Sequence, residues 1–194
     1  MVSRPRSEGK RETILMAAVR VIAAEGVHGT TTRKIAAAAG INLGTLHYHF
    51  DSKDEVMASV VVHLSELYLG NLDRAFPEPE PLRERIGNLM RFIWGEVQKE
   101  PQEQIALFDL GLYTLTEEGR RRFPKQKDDP YQMLYRRLLE QASDVPPEMD
   151  VEALANFLYN GFSGLLLQWL ASDETARAEE QLGLLVRAAE RMFL

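Results

Sequence analysis

The sequence predicts an all-α chain of about nine helices, with a head of three short helices over residues 1–51 and a helical body over residues 52–194. Three observations carry that prediction. Apolar residues recur at helical spacing through nearly the whole chain, and the strict alternation of a half-buried strand is almost absent. The short segments before residue 51 are separated by glycine and preceded by Thr or Asn, the residues that cap helix starts. Three prolines fall within residues 77–81, a density that no helix interior tolerates and that reads as a stiff linker.

Taken in order, the first helix spans 11–25, with Ile14, Ala18, Val21 and Ile22 on one face and Gly26 as its stop. Thr31 is the N-cap of a short second helix, 32–39, whose inner side carries Ile35 and Ala38. Gly40 breaks it, and Asn42 caps a third helix, 43–50, on which Leu46 and Phe50 share a face at i, i+4. Ser52 and Glu55 form a capping box that opens a connecting helix over 52–76. After the proline linker, helices are expected over 82–99, 102–116, 130–142, 151–171 and 174–193, with an irregular, highly charged connection over 119–129.

Composition narrows the class. Of 194 residues, 45% are hydrophobic and 27% charged, the balance of a globular protein rather than a disordered one. There is no cysteine, so disulfides and thiolate metal sites are excluded and a cytoplasmic location fits best. The basic, polar start lacks the apolar stretch of a signal peptide. No apolar run approaches the roughly 20 residues of a membrane span, so no membrane partner is expected. The net charge of −6 is unevenly spread: residues 1–50 carry +4 and the remainder −10. A basic head on an acidic body suits a protein whose head alone meets phosphate.

The second and third helices, joined by Gly40-Ile41-Asn42, have the layout of a helix-turn-helix, in which the second helix enters the major groove. With Leu46 and Phe50 turned inward, Gly44, Thr45, His47, Tyr48 and His49 lie on or near the outer side. These are small, hydroxyl-bearing or aromatic donors suited to phosphate and base edges. Arg4, Arg6, Lys10 and Arg11 form a basic arm that could reach DNA or stay solvated.

The run 30–36 (Thr-Thr-Thr-Arg-Lys-Ile-Ala), then Ala39-Gly40-Ile41, then 44–50 (Gly-Thr-Leu-His-Tyr-His-Phe), then Ser52-Lys53, resembles the signature of the TetR regulator family over roughly residues 10–57. The resemblance implies a DNA-binding set of Thr31, Thr32, Arg33, Gly44, Thr45, His47, Tyr48, His49 and Lys53. Thr32 and Lys53 match phosphate-contacting positions, and Thr45, Tyr48 and His49 match positions in or beside the major groove. A helix N-terminus independently favours an anion near Lys53. One departure stands out, because tyrosine usually fills the position of His47.

The body is expected to dimerise and to sense a small molecule. Dimer candidates are Leu158, Gly161, Phe162, Leu165 and Trp169 on one late helix and Leu182, Leu185 and Ala189 on the last, faces that an ordinary core would also use. The resemblance implies that two such helices per subunit form a four-helix bundle. Ligand candidates are Trp94, Phe108, Asp109, Tyr113, Tyr131, Met133 and Phe157, which again could be core. An enzyme is disfavoured, since there is no Gly-rich phosphate loop, nucleophile elbow or His-x-x-x-His spacing. His47 and His49 lie about 200° apart on a helix and cannot share a metal ion. The expected partners are therefore a double-stranded DNA operator, a second copy of the chain and an unknown effector, with no cofactor and no metal. The expected activity is repression by a ligand-released dimer on a palindromic operator. The alternative is a helical dimeric ligand-binding or scaffold protein without operator-specific DNA binding.

Overall fold

A computed structural model describes residues 6–122 and 130–194. Among the described residues there are ten helices and no strand: α1 (Arg6–Gly29), α2 (Thr32–Ala38), α3 (Leu43–His49), α4 (Lys53–Ala75), α5 (Leu82–Lys99), α6 (Pro101–Leu115), α7 (Glu117–Arg122), α8 (Pro130–Glu140), α9 (Val151–Ser172) and α10 (Thr175–Phe193). The described residues form two compact units, 6–68 with 100–122, and 69–99 with 130–194.

In the first unit α1 packs chiefly on α6 and on α2. Its predicted face is buried, with Ile14 and Ala18 fully so and Val21 and Ile22 nearly so. The regular helix stops at Gly26 as expected, where the backbone takes φ 72, ψ 167, and one further helical turn follows before Gly29. That break leaves the Val27 N–H without its helical acceptor, and the Asp109 carboxylate on α6 accepts it at 2.5 Å. The Gly26 carbonyl in turn accepts the Thr30 N–H at 3.1 Å and the Thr30 hydroxyl at 2.8 Å. The extra turn therefore exists because a distant carboxylate completes it.

The turn between α2 and α3 is set by local chemistry. Gly40 sits at φ 66, a left-handed conformation that strains any residue with a Cβ. Its N–H donates to the Ala37 carbonyl and that of Ile41 to the Ala36 carbonyl, the two bonds of a Schellman motif. The Thr31 hydroxyl accepts from the Lys34 N–H at 3.2 Å, capping α2. The Asn42 side chain accepts from the Thr45 N–H at 2.7 Å, capping α3. At the start of α4 the Ser52 hydroxyl accepts the Glu55 N–H at 3.1 Å. The Glu55 carboxylate closes back on the Asp51 N–H at 2.6 Å, so the capping box reaches one residue further than expected.

In the second unit α9 packs on both α8 and α10, and α5 lies on α10 and α8. Leu82, Ile86, Leu89, Met90, Leu138, Leu154 and Leu158 fill its core. The proline linker is pinned rather than loose. Ser143 N–H donates to the Glu80 carbonyl, and Asp144 accepts the Leu82 N–H at 2.6 Å. Arg85, almost fully buried, donates to the Glu78 carbonyl at 2.9 Å and lies 3.6 Å from the Glu80 carboxylate. Burial, with Tyr159 nearby, pushes the Tyr135 hydroxyl well above the usual tyrosine range and keeps it neutral.

α7 replaces the first part of the irregular connection expected over 119–129. The Thr116 hydroxyl accepts the Gly119 N–H at 2.9 Å and so caps it, ahead of two acids in its first turn. The rest of that connection, with Lys125 and Lys127, lies outside the described residues, as does Arg4.

The Asn42 cap yields a direct prediction. Asn42→Ala should cost about 1 kcal/mol of unfolding free energy in urea, and Asn42→Asp, which keeps the acceptor, much less. Equal losses in the two variants would mean that the cap does not hold α3.

Candidate nucleic-acid interface

The two faces of α3 are sharply different. Leu46 and Phe50 are buried at 0% and 1% exposure, whereas Tyr48 is 84% exposed. Gly44 and His47 are exposed beside it, and Thr45 and His49 are half-buried at the edges. The Tyr48 and His49 rings meet edge to face at 5.2 Å. The Thr45 hydroxyl donates to Asn42 Oδ1 at 3.0 Å, which fixes its rotamer at the start of the helix. On α2, Thr31 and Arg33 are exposed and Thr32 half-buried. Lys34 turns away from this surface, since its ammonium meets the Glu25 carboxylate and the Gly29 carbonyl.

Lys53 stands at the N-terminus of α4. Its ammonium donates to the Val27 carbonyl at 2.9 Å and the Thr30 carbonyl at 3.1 Å. This lysine therefore ties α4 to the end of α1. Arg11 does not extend as part of a free basic arm. Its guanidinium donates to the His49 carbonyl at 2.9 Å and the Ser59 hydroxyl at 3.1 Å. Nothing in the sequence pattern pairs residue 11 with residues 49 and 59, so this role was not legible there.

The ligand candidates are divided between the units. In the first, Asp109 is engaged by Val27 as described, Phe108 is half-buried, and the Tyr113 ring meets His28 edge to face at 5.2 Å. In the second, Trp94 is buried edge-on to Trp169 at 5.0 Å and Phe162 at 6.5 Å, and its indole N–H has no hydrogen-bond partner among the described residues. Phe157 packs instead on Phe193 at 5.9 Å, Tyr131 is half-buried, and Met133 is 56% exposed. Sequence reading missed a buried polar cluster on α4 and α6. The Tyr68 hydroxyl donates to Glu103 at 3.0 Å and accepts from the Gln104 amide at 2.5 Å. Glu103 and Gln104 follow Pro101 at the start of α6, where an acid reads as ordinary first-turn charge.

Among the dimer candidates, Leu158, Phe162, Leu165, Trp169, Leu182 and Ala189 are buried within the chain itself. Gly161 admits α10 of the same chain, because a Cβ there would stand 2.5 Å from Leu185 Cδ1. The large apolar side chains that α9 and α10 leave exposed are Leu167, Leu184 and Met192. No described helix is long and apolar enough to cross a membrane.

Residues 14–60, which contain α2, α3 and the start of α4, match the family model described as bacterial regulatory proteins, tetR family. The chain is 27% identical over 104 residues to the HTH-type nicotine-responsive transcriptional repressor HdnoR of Paenarthrobacter nicotinovorans, a match covering 54% of each protein. It therefore spans about half the length of that relative. Identity to the HTH-type transcriptional regulator AcrR of Shigella flexneri is 22% over 182 residues, covering 89% of this chain and 84% of that one. The fold is similar to that of the transcriptional regulator FadR from Bacillus subtilis in complex with stearoyl-CoA, with a TM-score of 0.73 and 20% identity over 90% of this chain and 97% of that one. The helix-turn-helix geometry and the matched motif identify residues 14–60 as a DNA-binding segment of the kind found in the tetR family of bacterial regulatory proteins.

Proposed function

We propose that the chain is a cytoplasmic transcriptional repressor that grips a palindromic operator as a homodimer and is released by a small-molecule effector. The observation that carries the reading is α3, a short helix capped by Asn42 and anchored by Leu46 and Phe50, with Tyr48 standing 84% exposed on its outer face. Such a helix presents Gly44, Thr45, His47, Tyr48 and His49 to base edges, while Thr31, Thr32, Arg33 and Lys53 flank it for the phosphates. Lys53 would exchange its two carbonyl acceptors for a phosphate oxygen, whose own negative charge makes the bond stronger. In this reading the chain performs no catalysis.

Two copies are needed to meet two half-sites. We assign the second copy to the outer face of α9 and α10, where Leu167, Leu184 and Met192 are exposed. The six dimer candidates buried within the chain then support that face from behind. Effector response is supported by relatives named as nicotine-responsive and as bound to stearoyl-CoA. The described geometry offers a route for the response. Asp109 on α6 completes the last turn of α1, and Lys53 joins that same turn to α4, so a ligand that moves α6 or α4 would reach the head. DNA affinity falls only if the ligand prefers the non-binding state.

Selection from random duplex DNA, followed by binding across a salt series, tests the reading. A palindrome with half-sites spaced by whole helical turns should be enriched. Its affinity should fall steeply with salt, with a logarithmic slope of about −0.9 per phosphate contacted. Leu184→Glu should yield monomers that lose the preference for the palindrome. No enrichment over non-specific binding would leave a helical scaffold protein in its place. The Asp109 link has its own check. Asp109→Leu, which strands the Val27 N–H, should destabilise the chain by about 1–3 kcal/mol and weaken operator binding, whereas Asp109→Asn, which keeps an acceptor oxygen, should do neither. Wild-type behaviour of both variants would remove the proposed route.

A further inference from the structure

We infer that Arg11 is a positioning residue for DNA readout: it fixes the C-terminal end of α3, and with it the placement of Tyr48, rather than binding a phosphate. The inference rests on the reading of α3 as the recognition helix. Its basis is that one side chain on α1 engages α3, with its C-cap, and α4 together. From α1, the Arg11 guanidinium sends one N–H to the His49 carbonyl at 2.9 Å and another to the Ser59 hydroxyl on α4 at 3.1 Å. Its central carbon lies over the Phe50 ring, 4.1 Å from the centroid. Phe50 is the C-cap of α3 and is buried at 1% exposure.

Each contact has a physical reason to matter. The last carbonyls of a helix have no partner within it and carry the negative end of its dipole, so a cation there is stabilising and directional. A guanidinium can hold two acceptors in fixed directions and stack on a ring at the same time, which an ammonium cannot do. α3 has seven residues, less than two turns, and its end is otherwise held by the Phe50 N–H on the Leu46 carbonyl at 2.9 Å. Tyr48, the most exposed large apolar side chain among the described residues, immediately precedes the residue whose carbonyl Arg11 holds. A swing at His49 is therefore a swing at Tyr48.

Arg11→Lys and Arg11→Gln test this in the full chain, with two readouts. The first is hydrogen exchange without DNA. Both variants should accelerate exchange of the Phe50 amide relative to the buried amides of α1. The second is binding to a selected operator and to a scrambled duplex across a salt series. Both variants should lower the ratio of specific to non-specific affinity by about tenfold and leave the salt slope unchanged. Ser59→Ala, which adds and removes no charge, should lower the same ratio by a smaller factor. A phosphate-binding arginine would behave differently: Arg11→Lys would match wild type, and Arg11→Gln would reduce the salt slope by about one at an unchanged ratio. That pattern overturns the inference, as does acceleration of exchange equally in α1 and α3. Should the wild type fail to discriminate between duplexes at all, the proposed function fails. The exchange readout then still decides whether Arg11 orders α3.

Discussion

A helix of seven residues cannot hold itself together in water, and the reading of this chain depends on how that constraint is met at α3. Nucleation of a helix costs more than two turns of hydrogen bonds return, so α3 exists only through what surrounds it. Its start is fixed by the Schellman turn at Gly40 and by the Asn42 cap, its underside by Leu46 and Phe50, and its end by Arg11. All of these contacts lie on the inner side or at the ends. The outer side is left without internal work, which is why Tyr48 can be 84% exposed without loss of order. Rigid support beneath and free donors above are what a groove-reading element requires.

The same economy appears at the end of α1. A glycine at φ 72 breaks the helix, and the broken turn is then rebuilt from outside. Asp109 supplies the acceptor that the Val27 N–H lacks, and Lys53 takes the Val27 and Thr30 carbonyls. A turn that owes its hydrogen bonds to α6 and α4 cannot stay fixed if either helix shifts. This gives the proposed effector response a local physical basis: a small number of charge-assisted bonds, each strong and each directional. The Tyr68–Glu103–Gln104 cluster places further buried polar groups on the same pair of helices, where each must stay satisfied or be replaced.

Much of this was legible in the sequence because its causes are local. Thr31, Gly40, Asn42 and Ser52 act within three or four residues of themselves, so the boundaries of α2, α3 and α4 follow from short motifs. The proline run made the start of α5 clear. Features that depend on distant partners were not visible. The extra turn of α1 needs Asp109, 82 residues away, and the inward course of Arg11 needs residues 38 and 48 positions on. α7 was hidden by its charge run, although Thr116 followed by two acids was a signal for it. The body shows a different limit. Trp94, Phe162 and Trp169 cluster as aromatics, but an apolar side chain reads the same in sequence whether it meets a ligand, a second copy or its own core. Leu158 and Leu182 are buried within the chain, and the large apolar side chains that α9 and α10 leave exposed are Leu167, Leu184 and Met192.

The central claim is that the outer face of α3 reads DNA. The most direct test compares wild type with Tyr48→Ala on a selected operator and on a scrambled duplex of equal length at one salt concentration. Because Tyr48 is so exposed, its truncation should leave stability within about 0.5 kcal/mol, which keeps the comparison clean. The account predicts that operator affinity falls by about tenfold or more while affinity for the scrambled duplex is nearly unchanged. Equal affinity of the two proteins for the operator, or an equal loss on both duplexes, would contradict it.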